Sequence, residues 1–281
     1  MKWFLVAVLL LLVAVVFGAA GWFGYQLYVK PAKLDEQEAK QLADAPPPTP
    51  LPDYSIPAFE KAIALKKEGN LLEARTALLD FLTQYPQSTK LAEAKDALGE
   101  INTQFVFTSM PGPDKIDYTV VSGDSLIRVA SKTNSSAELI LRSNNLLSID
   151  LQIGQQLRVP QLDTSIVINK EAKTLTLLDK GVFFKEYPIL SLQGAGALNK
   201  DMTVKDKIAL RGSDRVAFAE PGYIGSDRWI MLSDGNAIIR GYIETDENGA
   251  TQPLPPGIVV SQEHIEEIFP LVTRGTPVTV Q

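Results

Sequence analysis

The chain has no cysteine among its 281 residues, which excludes a disulfide framework, a thiolate nucleophile, a cysteine-ligated metal and a lipoprotein-type anchor. Histidine is almost as scarce. His264 stands alone, so a histidine-ligated metal centre lacks its ligands, and no metal or other cofactor is expected. Basic residues are outnumbered, with 27 Lys+Arg against 33 Asp+Glu for a net charge of -6, which argues against a nucleic-acid partner. The glycine-bearing stretches Arg211-Gly212-Ser213 and Gly222 to Gly225 lack the spacing of a phosphate-binding loop.

One stretch has no charge at all. Residues 4–23 are apolar throughout, and about 20 such residues suffice for a helix to cross a bilayer core. Trp22, Phe23, Tyr25 and Tyr28 follow, aromatic residues suited to the lipid–water interface. Residues 1–30 are therefore read as a single-pass membrane anchor. A cleaved signal peptide is the competing reading, with Gly18-Ala19-Ala20 as the small residues at its cut. Residues 31–54 are charged and then proline-rich, with Ala45-Pro46-Pro47-Pro48-Thr49-Pro50-Leu51-Pro52 at their end, the composition of an extended spacer.

Residues 55–109 carry helical periodicity, broken at Gly69-Asn70 and at Tyr85-Pro86-Gln87-Ser88. Leu91, Ala94, Leu98, Ile101 and Phe105 form one apolar stripe. The pattern Gly69-Asn70, Ala74, Phe81 and Pro86 resembles one tetratricopeptide repeat followed by a half repeat. Such repeats need about three units for a stable stack, so the exposed apolar face implies a protein partner, self-association, or packing against the rest of the chain.

From Tyr118 the chain reads Tyr118-Thr119-Val120-Val121-Ser122-Gly123-Asp124-Ser125-Leu126. An apolar run ends in a turn whose Ser125 caps a helix carrying Leu126, Val129 and Ala130. A second helix fits residues 136–144, and after Ile153-Gly154-Gln155-Gln156 a short strand Leu157-Arg158-Val159 closes a βααβ unit over residues 115–162. These motifs, with Asn144-Asn145-Leu146, resemble a LysM domain, a module that binds N-acetylglucosamine-containing glycans such as peptidoglycan and chitin. The resemblance implies a groove with Gly123, Asp124, Ser125 and Leu126 on one wall and Asn145, Leu151, Ile153 and Gly154 on the other.

After Pro160 the pattern becomes alternating and β-rich: Ile166-Val167-Ile168, Leu175-Thr176-Leu177 and Val182-Phe183-Phe184 read as strands, with Asp179-Lys180-Gly181 as a hairpin turn. Further strands are expected at residues 228–232 and 237–243, and Ser261 is placed to cap a helix containing Ile265, Ile268 and Phe269. A mostly antiparallel sheet is expected. Residues 164–281 resemble the catalytic domain of L,D-transpeptidases, clearest at residues 174–188, 225–230 and 265–280. That family uses a histidine in an Ile-His-Gly stretch and a cysteine in a Gly-Cys-Ile-Arg run. Here the stretches read Ile239-Arg240-Gly241 and Pro256-Gly257-Ile258-Val259, so Arg240, Gly257 and Val259 stand where the family's histidine, cysteine and arginine are implied. No catalytic residue is assigned. Ser261 and His264, three apart, are read as a helix cap and an exposed helical residue, and Glu266-Glu267 and Asp246-Glu247 as solvated carboxylates.

The sequence thus reads as multidomain α+β: a transmembrane helix, a linker, a helical hairpin like a tetratricopeptide repeat, a LysM module, and a degenerate transpeptidase-like β domain. The expected function is non-catalytic peptidoglycan binding from the bacterial cytoplasmic membrane, with the bulk of the chain outside. An active wall enzyme with atypical residues and an adaptor without glycan binding are the alternatives.

Overall fold

The computed structural model describes residues 2–30, 53–112, 114–192, 198–233, 237–242 and 256–281. Most of the proline-rich linker, the Asp246-Glu247 turn and the end of the strand expected to reach Ile243 lie outside them. The chain divides into two units, Met1–Pro52 and Asp53–Gln281.

In the first unit α1 runs Lys2–Gly24 and passes into a π-helical turn, Tyr25–Val29. Among the described residues no helix is long and apolar enough to cross a membrane. The side chains of residues 2–9, 12, 13 and 29 are outside the described set, so the spanning expectation rests on the sequence.

The second unit begins with three helices, α2 (Ile56–Lys67), α3 (Leu71–Gln84) and α4 (Leu91–Phe107). Gly69, at φ +83°, ends α2; in that left-handed conformation the Asn70 amide reaches back to Leu65 O at 2.9 Å. Phe59, Ala62, Ala74, Leu78, Phe81, Leu98 and Ile101 interlock as their core.

The βααβ module follows: β1 (Lys115–Thr119), α5 (Leu126–Lys132), α6 (Ala137–Ser143) and β2 (Gln156–Pro160). Ser125 and Ser136 cap the two helices, accepting from the amides of Arg128 and Leu139. β1 and β2 pair antiparallel, Tyr118 opposite Leu157, over a core of Val120, Leu126, Val129, Ile140, Leu157 and Val159.

The remainder is a nine-stranded sheet of β3 (Thr164–Asn169), β4 (Thr174–Asp179), β5 (Val182–Pro188), β6 (Asp201–Arg211), β7 (Asp214–Arg215), β8 (Asp227–Leu232), β9 (Ile238–Tyr242), β10 (Ile258–Ser261) and β11 (Pro277–Val280), with α7 (Gln262–Leu271) before β11. Its order is β10-β9-β8-β6-β11-β3-β4-β5, with β7 paired to β6. Lys180 and Gly181, both at positive φ, make the two-residue turn between β4 and β5. The sheet is largely antiparallel, as expected, but β10/β9 and β11/β3 run parallel. Beyond β5 the Leu190 amide bonds Val259 O at 2.7 Å and the Val259 amide bonds Ser191 O at 2.8 Å. The sheet therefore curls until its two ends meet, and Ile265 and Ile268 of α7 fill the enclosed core. Helices and a largely antiparallel sheet together make this an α+β chain.

Two junctions join these parts. α4 lies against β5: Asn102 donates to Phe184 O at 2.7 Å, Lys95 pairs with Glu186 at 3.0 Å, and Phe183 packs into the helical core. Gly99 sits beneath the Lys185 stem, where a Cβ would come within 2.8 Å of Cγ. The β domain thus covers an apolar face of the helical unit. On the other side, α6 docks on α7. Ser136 Oγ donates to Pro270 O at 2.8 Å and Arg142 to Glu266 O at 2.7 Å, while Leu139 enters the β-domain core.

Candidate functional site

The two stretches singled out in the βααβ module meet through the backbone. Gly154 N–H donates to Val120 O at 2.8 Å, and Val120 N–H to Gln155 O at 2.9 Å. These bonds hold the 120–126 turn against the 151–155 loop. Gly123 and Gly154 adopt φ of +85° and +86°, a region that favours glycine, and a Cβ at Gly154 would meet nothing within 4 Å. The space over Gly154 is open.

The individual side chains divide into builders and exposed surface. Asp124 is a builder: its carboxylate accepts from Tyr118 OH at 2.8 Å, from Val121 N–H at 3.0 Å and from Lys132 Nζ at 2.7 Å. Those hydrogen bonds, the one from Lys132 first, hold its carboxyl at about 2. Leu126 is buried in the core and Ser125 is spent on its cap. Leu151 packs on the core edge. Asn145, at φ 51°, ends α6. Exposed apolar surface instead comes from Ile153 at 75% exposure, with Val121, Ile127, Leu147 and Ile149.

Sequence reasoning assigned none of those last four a role of its own, and Asn144 only a place in the motif that ends the second helix. That side chain donates to Ile140 O and Arg158 O and accepts from Arg158 N–H at 2.7 Å, clamping α6 to β2. An exposed apolar residue within a polar loop was the available signal for Val121 and Leu147.

In the β domain the structure brings Arg240, Gly257 and Val259 together. Val259 on β10 is register partner of Arg240 on β9, and a Cβ at Gly257 would lie 3.9 Å from Arg240 Nε. The Arg240 guanidinium lies 5.0 Å over the Trp229 ring, and its Nε is buried without a hydrogen-bond partner among the described residues. Val259 is fully buried, with both backbone groups tied to the 190–191 segment. None of the three carries a nucleophile or a base able to accept a proton near neutral pH.

Ser261 Oγ accepts the backbone N–H of His264 at 3.2 Å, as a helix cap. His264 departs from the expected exposed position: it is half-buried, its ring edge-on to Tyr187 at 5.2 Å, and burial pushes its pKa below the ordinary 6.5. Glu266 and Glu267 are likewise engaged, with Arg228 and Lys185. Among the described residues no group of three or more His, Asp or Glu is placed to hold a metal.

Residues 118–160 match the family model of the LysM domain, so the chain carries a LysM module. No curated protein matches the chain. Among solved structures it is similar to an L,D-transpeptidase from Mycobacterium smegmatis, at 14% identity and a TM-score of 0.31, over 46% of this chain and 64% of that one. It is also similar to L,D-transpeptidase 1 of Mycobacterium tuberculosis, at 13% identity and TM-score 0.29, over 44% of this chain and 77% of that one. A variant of the Enterococcus faecium L,D-transpeptidase gives 16% identity and TM-score 0.30, over 65% of this chain and 82% of that one. The chain spans just under two thirds of the M. smegmatis protein. At these TM-scores the likenesses transfer no activity, and the case for the β domain rests on its own residues.

Proposed function

We propose that this chain is a membrane-anchored, non-catalytic peptidoglycan-binding protein that tethers or scaffolds at the bacterial cell wall through its LysM module. The observation that carries the reading is the LysM match over residues 118–160, whose two loops meet at Val120 and Gly154 beneath exposed Ile153. Backbone groups of such turns pair with acetamido groups, and apolar side chains cover a sugar face. A single module buries little area, so binding is weak and gains from many copies on one wall.

Two further components belong to the proposal. Residues 4–23 anchor the chain as a spanning helix, and everything beyond Lys30 lies outside the cytoplasmic membrane, where a wall-binding module can reach its ligand. The β domain catalyses no transpeptidation. That reading is supported by the absence of any thiol and by the Arg240, Gly257 and Val259 triplet.

The test is retention of the full chain, in detergent, on purified sacculi. Ile153→Asp, which places a charge on the exposed loop, is expected to lower retention at least tenfold with unfolding unchanged. Equal retention of wild type and a non-binding control protein removes the glycan reading and leaves an adaptor. A reporter fused after Gln281 that works only in the cytoplasm would overturn the orientation. Cross-linked products from tetrapeptide-bearing muropeptides, above a no-protein control, would overturn the non-catalytic reading.

A further inference from the structure

A cleft of about 570 Å³ opens beside β6, where the β7 hairpin, the loop carrying Phe218 and Tyr223, and the end of α7 converge. It is separate from the Arg240 and Gly257 cluster. Register partners Ile208, Trp229 and Arg240 share one face of the sheet, whereas Lys207, Ile230 and Ile239 share the other.

The charges around the cleft are unevenly committed. Asp206 accepts from Arg274 at 2.6 Å and from Arg215 at 3.2 Å. Glu220 accepts the Ala217 amide at 2.8 Å. Lys207 has no carboxylate partner among the described residues: its ammonium donates to the Val272 carbonyl at 2.7 Å and lies 4.4 Å over the Phe269 ring. Next to it Arg228, 3% exposed, lies between the rings of Tyr223 at 3.9 Å and Phe269 at 5.1 Å, with Nη1 buried and without a hydrogen-bond partner among the described residues. Its ion-pair partners Glu138 and Glu266 contact it through its other nitrogens, at 3.7 and 3.3 Å.

The cleft therefore presents a recessed ammonium between aromatic walls, with its own carboxylates already bonded. A compact ammonium that retains donors after one carbonyl bond suits a carboxylate, and Phe218 and Phe269 suit an apolar side chain beside it. The cleft volume lies within the range of small-ligand sites. Position names the source. Phe218 lines the cleft and also packs on the LysM core, as Leu151 does, and Tyr223 OH donates to Glu138 of α6 at 2.6 Å. The cleft is thus continuous with the LysM module.

We propose that this cleft binds a short anionic peptide, its carboxylate on Lys207 and its side chains against Phe218 and Phe269. This rests on the peptidoglycan reading, because a wall glycan carries short acidic peptides and the cleft would take one while the LysM loops take the sugar.

The experiment is fluorescence anisotropy with the full chain in detergent. The probe is fluorescein-labelled Ala-Glu-Ala-Ala with a free C-terminus, set against uncharged Ala-Gln-Ala-Ala amide. Saturable binding of the acidic peptide is expected, at least tenfold weaker for the uncharged one and for Lys207→Met, which keeps an apolar stem over Phe269. No saturable binding, or equal binding of both peptides, overturns the proposal on the unmodified chain alone, whatever the folding of the variant. Lys207→Met should lower sacculus retention less than Ile153→Asp does, and Ile153→Asp should lower retention but keep peptide binding. Peptide affinity that falls with Ile153→Asp and not with Lys207→Met would place the peptide at the LysM loops and overturn the cleft. Should sacculus retention fail in wild type while acidic peptide still binds, the glycan reading falls and the cleft stands.

Discussion

A Cβ on residue 257 would fall 2.8 Å from the carbonyl oxygen of Ile238. Gly257 also adopts φ +126°, which residues with a side chain rarely reach. Two independent constraints therefore oppose a cysteine, or any side chain, at the position where the transpeptidase resemblance implies a nucleophile.

Gly257→Cys combined with Arg240→His is accordingly expected to yield no transpeptidation product by mass spectrometry. Gly257→Cys alone should cost about 1–3 kcal/mol of stability from backbone strain and the close contact. Urea unfolding measures this. Wild-type stability together with a reactive thiol would mean that the local backbone relaxes easily, and the steric argument would fail.

A second prediction concerns the junction between the LysM module and the β domain. Glu138 serves both Tyr223 OH and Arg228, and Arg228 is 3% exposed. Removing the carboxylate leaves a half-buried phenol without its acceptor and a buried guanidinium with one fewer counter-charge. Glu138→Ala should destabilise the 53–281 unit by about 2–3 kcal/mol. Glu138→Gln, which keeps an acceptor for Tyr223, should cost less. Equal losses in urea unfolding would show that charge, rather than the Tyr223 bond, dominates there.

These two residue pairs also mark what the sequence could and could not show. The LysM helices and the β4–β5 hairpin were legible because their signals are local: Ser125 caps the helix it was placed to cap, the second helix begins at Ser136 as expected, and Lys180-Gly181 turns the hairpin. β6, with burial alternating only over its first half, went unread, since its residues change partners along its length, from β11 at 201–203 to β8 at 204–210. The parallel pairing of β10 and β11 was equally invisible, because register between segments far apart leaves no periodic trace. At the site, the turn residues were legible, but their division of labour was not. Asp124 reads as a polar groove residue, and only the folded chain brings Tyr118, Val121 and Lys132 onto its carboxylate. Lys207 and Arg228 are ordinary strand cations in sequence; their partners come from α6, α7 and the 216–223 loop.

Acid should probe the Asp124 turn. Its carboxyl is held at about 2, below the ordinary 3.8, chiefly by the hydrogen bonds from Lys132, Val121 and Tyr118. A depressed acid stabilises the fold fully above 3.8, and that contribution disappears as pH falls through about 2. The Val121 amide, which donates to Asp124, should stay protected from exchange down to roughly pH 3 and lose protection below. In Asp124→Asn this pH dependence should vanish. Protection lost already near pH 4 would show that the carboxylate is not what orders the turn.

The last prediction turns on Lys207, whose ammonium burial pushes down to about 8 from the ordinary 10.5, with Arg228 opposing the charge and Glu138 favouring it. Asp206, Arg215 and Arg274 rim the same cleft, and Tyr223 and Glu266 flank Arg228. Between about pH 8 and 10.5 the unfolded chain holds this proton and the folded chain does not. The unfolded state binds more protons there, so stability attributable to Lys207 rises with pH across the window and is lost as pH falls through 8. Other groups titrate in the same range, while burial pushes the Tyr223 phenol above it, so the informative quantity is a difference. The wild-type Tm minus that of Lys207→Met should climb from pH 7.5 to 10.5. Adding the acidic peptide should flatten that climb, since a bound carboxylate favours the charged amine and raises its pKa. A flat difference without peptide would mean that Lys207 is solvated as freely as a surface lysine, and a climb that the peptide leaves unchanged would mean that no carboxylate reaches it.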